Sequence, residues 1–485
     1  MNPLKSLLSQ TAIYGLPTIV GRMLNYLLVP LYTSVFTDPA DYGVVSELYA
    51  WVAFLIVLLT VGMETAFFKF FNEEKDKDAV FKNGFITIIG LNVLFLILLL
   101  FFNQSIADVM LYSEHNEYII LLGIIVCIDA ISALPMAKLR SEQKALRFSA
   151  IHFTSIGVNI GLNLILMIFL FDPARPEEGV LFILIANLLA SLVKPIATYK
   201  DFIGLNWRYD KVLGAKMMKY AIPLVIAGFA GIVNETLDRV MLKHLLHNKA
   251  GFTLRAAEAK LGIYSACYKL AMIVTIFLQA YRYAAEPFFF AQAKNADRNK
   301  IYAKIMNYFV AAVCLVFLCV ALNIDIFKYF IRNEIYWSGL GVVPILLVAN
   351  IFLGIYFNQS IWYKLSGQTK FGAYIALGGA AITITVNLIF IPIYGFWASA
   401  WATLVVYGIQ MVASYLLGQK YYPIKYNLRK FGLYFGLAIT LFFIAFIVDI
   451  DPGKMTWVKF LLHNGLILFY IFIIWFVEKP ARQTN

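Results

Sequence analysis

Charge is what this sequence has least of. Only 14% of its 485 residues are Asp, Glu, Lys or Arg, while 61% are hydrophobic and the mean hydropathy is +0.76. A soluble globular chain carries about 25% charged residues, so the shortage excludes a sizeable soluble domain. Cysteine is scarce too. Cys127, Cys267, Cys314 and Cys319 all fall inside apolar runs without CxxC spacing and read as small buried hydrophobes. The five histidines are scattered; His244 and His247 stand three apart with no third ligand evident, so no metal site is expected. No Walker A sequence occurs, which excludes ATP hydrolysis by that route, and no constellation for covalent chemistry is present. The expectation is therefore no cofactor, no catalytic residue and no enzyme. The formal charge of +12 does not point to nucleic acid. The basic residues sit mostly between apolar runs, where they orient helices and meet anionic headgroups.

What the sequence has in abundance is apolar runs of about 20 residues, the length that crosses a bilayer as a helix. The fold class is all-α integral membrane. Fourteen spans are expected, near 11–36, 44–68, 84–103, 118–137, 149–171, 179–199, 217–242, 261–285, 303–323, 339–362, 371–393, 395–417, 430–448 and 456–477. Met1–Gln10 is too short and too weakly basic for a removed signal, so the first run is expected to be a span. Thr37–Gly43 and Pro392–Gly395 read as tight turns. Lys and Arg concentrate in alternate connections, which puts both termini in the cytoplasm. One connection breaks the rule: 243–260 holds Lys243, Lys249, Arg255 and Lys260 and yet must lie outside.

A six-span unit occurs twice. Tyr14-Gly15-Leu16-Pro17 opens the first span and Tyr220-Ala221-Ile222-Pro223 the seventh. Ala40, Gly43, Ser46 and Tyr49 match Ala259, Gly262, Ser265 and Tyr268 without a gap, and Asn163-Leu164-Ile165 matches Asn387-Leu388-Ile389. Six is even, so both copies insert with one orientation, as in transporters built from parallel repeats. The expected organisation is an N-terminal bundle (1–205), a C-terminal bundle (206–425) and a terminal helix pair (426–485).

The chain resembles a Wzx-type polysaccharide flippase of the superfamily that also holds the multidrug (MATE) exporters and the lipid II flippase. The resemblance rests on Gly15-Leu16-Pro17…Gly21-Arg22…Asn25, Pro30-Leu31-Tyr32-Thr33, Tyr42-Gly43, Gly62-Met63-Glu64-Thr65 and the Tyr220–Pro223 motif. It implies a multi-pass protein of the bacterial inner membrane. Such a protein moves an undecaprenyl-pyrophosphate-linked oligosaccharide, an O-antigen or capsule repeat unit, between leaflets by alternating access. A glycan polymerase and glycosyltransferases would be its partners, besides the lipid-linked glycan and membrane lipid. It also implies a terminal helix pair that forms a groove for the lipid tail.

Ionisable residues at mid-membrane are costly and so mark function by default. Thr11, Thr18, Arg22, Asn25 and Tyr32 form one polar stripe on the first span, and Ser265, Lys269, Gln279, Arg282 and Glu286 a broader one on the eighth. Arg suits phosphate through its planar fork. Arg22 and Lys269 are expected to line a cavity between the bundles and neutralise a pyrophosphate, with Asn25, Gln279 and Arg282 as further ligands. Glu47 and Glu64, seventeen apart, stand about 100° apart around a helix and form no catalytic pair. Glu47 is expected to pair with a cavity base and Glu64 with Lys69, and Glu235 with Arg239 along its helix. Asn234 and Asp238 occupy a neighbouring stripe that faces either another helix or the cavity. Glu47, Glu64 and Asp238 are the candidates for a coupled proton or sodium ion. Two other functions compete: a cation-coupled multidrug exporter, which needs acids in its cavity, and a membrane polysaccharide polymerase, which needs a sizeable external loop.

Overall fold

The computed structural model describes residues 20, 21, 23, 26–202, 207–293, 295–448 and 452–479. Among them there are helices and no strand. The apolar runs leave the backbone no partner but itself, and a helix satisfies every interior N–H and C=O locally. α1 (Leu28–Val35) is the described end of the first expected span. Thirteen further helices among the described residues are long and apolar enough to cross a membrane. They are α2 (Pro39–Glu73), α3 (Lys77–Phe101), α4 (Asn116–Ser141), α5 (Ala145–Leu170), α6 (Pro176–Phe202) and α7 (Lys211–Asn248). Then follow α8 (Leu254–Gln292), α9 (Arg298–Leu322), α10 (Val342–Leu365) and α11 (Lys370–Tyr394). The last three are α12 (Phe396–Tyr421), α13 (Leu428–Val448) and α14 (Trp457–Glu478). With α1 they agree with the expected count of about fourteen.

Contacts divide the chain into two compact units, Met1–Gly262 and Ile263–Asn485. This division is by packing, whereas the boundary near 205 is one of sequence repeat. In the first unit α7 packs along α2, and α6 against α4 and α5. In the second, α12 packs between α10 and α11, and the terminal pair α13 and α14 lies on α9.

α2 starts earlier than its apolar run. Asp38 caps it by accepting from the Ala40 N–H (2.9 Å), and Pro39 occupies the first turn, so the expected turn at Thr37–Gly43 ends at Asp38. The helix then breaks. Val61 and Gly62 both adopt left-handed backbone conformations (φ 51° and 61°) before the helix restarts at Met63. For a β-branched residue that conformation is strained by about 1–2 kcal/mol. The break brings Gly62 against α7, where a Cβ on it would lie 3.1 Å from the Ala221 carbonyl. Two short motifs far apart in sequence, Gly62–Thr65 and Tyr220–Pro223, thus pack on each other. Lys69 lies over the Tyr220 ring at 4.2 Å.

A second close approach joins α2 to the start of α8. A Cβ on Gly43 would run into the Glu258 carbonyl and stand 3.1 Å from the Gly262 nitrogen. A Cβ on Gly262 would run into the Pro39 carbonyl and stand 3.0 Å from the Gly43 nitrogen. These are the matched positions of the two sequence repeats, so the crossing is symmetric residue for residue.

The helices also extend beyond their apolar runs around the expected 243–260 connection. α7 continues to Asn248 and α8 begins at Leu254, so the expected 243–260 connection shrinks to 249–253. Lys243 and Arg255 therefore lie on helices, and each pairs with an acid of α2. Two of the four bases of that stretch are thus held in ion pairs on helices and not in the connection itself.

In the second unit, Asp325 ties the terminal pair down. It lies in the short helix Ile324–Phe327, buried, and accepts from Lys459 of α14 (2.7 Å) and Lys328 (3.1 Å). Burial would raise the carboxyl, but Lys459 and Lys328 outweigh it and hold it below the ordinary carboxylate value. A depressed pKa stabilises the fold above the unfolded value of about 4. That contribution fades as pH falls through the folded value. Asp325→Ala should strand two lysines and cost about 3 kcal/mol, read as earlier proteolysis of α14 at pH 7. The gap from the parent chain should narrow on acidification; a gap constant down to pH 3 would contradict the pairing.

Candidate functional site

A cluster of buried charge lies in the first unit, at the end of α2 expected to lie outside. Glu47 and Lys243 are both fully buried and their side chains meet at 2.5 Å. The Tyr112 hydroxyl donates to the same carboxylate oxygen (2.6 Å), and His244 reaches the other at 3.4 Å. Lys243 also donates to the Met110 carbonyl (2.7 Å) and lies 3.7 Å from the centre of the Tyr112 ring. The Glu47 carboxylate and the Lys243 ammonium thus each have a further partner beside the other, the condition under which a buried ion pair is tolerated. One layer further out, Arg255 holds Asp41 with two bonds (2.6 and 3.0 Å) and Asp38 with a third (2.8 Å). That fork geometry is the strong form of the arginine–carboxylate pair.

Deeper along the first unit runs a chain of polar pairs between helices. Tyr32 of α1 donates to Asn163 of α5 (2.8 Å), and Asn187 of α6 donates to Tyr49 of α2 (3.1 Å). Lys194 of α6 pairs with Asp129 of α4 (2.7 Å), both about a quarter exposed. Toward the other end, Arg140 pairs with Glu64, and Arg147 with Asp201 at 2.8 Å.

The residues expected to bind the substrate fall as follows. Arg22 and Asn25 lie outside the described residues. Tyr32, the one member of the first-span stripe among them, turns toward α5. Lys269 and Gln279 are half-buried on α8, and Arg282 is exposed. The Arg282 guanidinium sits 4.3 Å from the centre of the Phe357 ring and shares a small cavity with Lys364 and Asn358. Thirteen residues separate Lys269 from Arg282, roughly 20 Å along the helix and about 140° around it. They form a broad column, not one cluster. The Glu286 side chain lies outside the described residues.

Two expectations about acids change. Glu64 pairs with Arg140 across to α4 and not with Lys69. A spacing of five places Lys69 on another face of the helix, about 140° away, where it covers Tyr220. Glu235 is exposed on α7 and makes no ion pair with Arg239. Asn234 and Asp238 are buried on α7. No group of three His, Cys, Asp or Glu side chains that could hold a metal occurs among the described residues.

Sequence reading missed Lys243, Tyr112, Asp129 and Lys194. Asp129 carried a signal, as the lone acid of the 118–137 run, and so did Lys194, as the lone charge of the 179–199 run. Tyr112 carried none, since its role depends on a turn folding back over Glu47.

Comparison with known proteins places this geometry. The profile of the polysaccharide biosynthesis protein family matches residues 7–292. The chain belongs to that family. An uncharacterized membrane protein of Haemophilus influenzae is 22% identical over 302 residues, covering 60% of this chain and 67% of the relative. The family member described here thus spans about two thirds of that relative's length. Among solved structures, the lipid II flippase MurJ in an inward closed conformation superposes with a TM-score of 0.69. The two share 13% identity over 96% of this chain and 99% of MurJ. An inward-facing multidrug resistance MATE family transporter of the MOP superfamily gives a TM-score of 0.63 at 14% identity, over 81% and 93% of the two chains. At these identities the likeness establishes the fold. This polysaccharide biosynthesis family member is thus a multi-pass membrane protein built on the fold shared by those two transporters.

Proposed function

We propose that the protein is a flippase. It carries an undecaprenyl-pyrophosphate-linked oligosaccharide, an O-antigen, capsule or related repeat unit, from the inner to the outer leaflet of a bacterial cytoplasmic membrane. The observation that supports this reading is the polysaccharide biosynthesis match over residues 7–292, in a chain that follows a transporter fold along nearly its whole length. Arg22, Asn25, Lys269, Gln279 and Arg282 bind the pyrophosphate and first sugars. The polyprenyl tail stays in lipid, against the terminal pair. Glycosyltransferases supply the cargo and a polymerase consumes it. Glu47, Glu64 and Asp238 are the candidates to carry a coupled proton or sodium ion.

Reconstitution with defined polyprenyl-linked glycans and a leaflet-accessibility assay tests the reading. Arg22→Ala and Lys269→Ala should each slow translocation about tenfold or more, the loss expected for one charge-assisted contact, at matched protein levels. Unchanged rates in both variants would remove the basic cavity from the mechanism. Failure of the parent protein to move any polyprenyl-linked glycan, with transport of cationic dyes instead, would replace the flippase by a multidrug exporter.

A further inference from the structure

A cavity of about 400 Å³ opens in the first unit between the start of α2, the turn before α4, the start of α6 and the start of α8. Four carboxylates line it, Asp41, Glu114, Glu177 and Glu258, together with Arg255 and His115. Arg255 is committed to Asp38 and Asp41, so the walls carry an uncompensated negative charge. Glu114 and Glu177 are exposed at the rim. Glu258 is different. It is only 6% exposed, it lines the cavity, and among the described residues no hydrogen bond or ion pair reaches its carboxylate. The nearby cation Lys243 is spent on Glu47. A buried carboxyl with no partner costs free energy that a well-placed cation restores.

The rest of the wall says what kind of cation. His115 and Tyr118 stack with ring centres 4.8 Å apart, and both line the cavity. Flat aromatic faces beside carboxylates recognise organic ammonium groups and sugar rings rather than bare ions. The volume fits a small organic molecule, and no three metal-ligating side chains converge among the described residues.

We infer that this cavity binds an amino sugar, whose ammonium pairs with Glu258 while its ring lies along His115, itself backed by Tyr118. The assignment rests on the flippase reading for the source of the sugar, an amine-bearing residue of the cargo glycan arriving at the side expected to be outside. It predicts a preference for cargo with a free amine over cargo of acidic sugars.

The test uses the purified full chain and calorimetric titration with three probes: glucosamine, N-acetylglucosamine and ethanolamine. Glucosamine should bind. N-acetylglucosamine, the same ring without the charge, and ethanolamine, the charge without the ring, should each bind about tenfold or more weakly. Glu258→Gln, which keeps the shape, should lose the preference for glucosamine while melting close to the parent. Equal binding of glucosamine and its N-acetyl form would overturn the inference, as would equal binding of ethanolamine, which would leave a plain ammonium site. An unaltered preference in Glu258→Gln, or no binding of any probe, would overturn it too. Each of these outcomes can occur with leaflet translocation intact, so the cavity can fail without the flippase failing.

Discussion

Lys243→Met should destabilise the protein by about 3–5 kcal/mol, because it leaves the Glu47 carboxylate buried without its cation. Glu47 and Lys243 are each 0% exposed, so no water enters to compensate. Tyr112 and His244 remain in reach, but neither takes the place of the buried ammonium. The companion variant Lys243→Met with Glu47→Gln removes both charges and keeps the volumes. It should recover most of the loss, since exchanging a whole buried pair is close to neutral. Thermal unfolding of the two single variants and the double, in one detergent, gives the coupling directly. Additive losses would mean that the two side chains do not act as a pair. The expected damage is local: α7, α2 and the Met110–Tyr112 turn should loosen first, giving new protease access near residue 110.

The second large effect is at the glycine crossing. Gly262→Ala places a methyl group against the Pro39 carbonyl, and Gly43→Ala does the same against that of Glu258. The obstacle in each case is backbone, which cannot rotate away as a side chain can. Overpacking commonly costs about 1–3 kcal/mol, and these two positions belong at the top of that range. The expected result is a sharp drop in folded yield and melting temperature for either variant. Gly157→Ala and Gly231→Ala are the controls. A Cβ there meets nothing within 4 Å, and Ala is the better helix former by about 1 kcal/mol, so both should be neutral or mildly stabilising. If Gly262→Ala melted with these controls, the close approach would be refuted.

The fold class was legible because each apolar run is long enough to carry its own proof. Helix ends were less so. Hydropathy marks where a helix enters lipid, while Asp38, Asp210 and Thr456 mark where it begins, by capping. Helices such as α7 therefore run well past their apolar cores. That difference is what made 243–260 look like a basic loop. The acids were half legible. Glu47 stood out as an intramembrane charge, but its partner lies 196 positions further along the chain, and periodicity within one helix cannot reach that far. Glu64 was assigned a neighbour in sequence when its partner was a neighbour in space. Glu258 is the single acid of the stretch 243–260, which gives it no role. Its significance lies in what does not touch it, which no sequence pattern records.

The crossing of Gly43 and Gly262 has one more consequence. A Cβ added to either glycine would stand almost equally far from the other's nitrogen and would run into the carbonyl four residues before the other. In a two-fold dimer of identical chains, residue i touches j wherever j touches i, and a residue on the axis touches its own copy. Here the same rule operates inside one polypeptide. A single surface, spelled once as Pro39–Gly43 and again as Glu258–Gly262, is its own binding partner. A substitution accepted in one spelling must also suit the other, so the two halves of this chain cannot drift independently at that point.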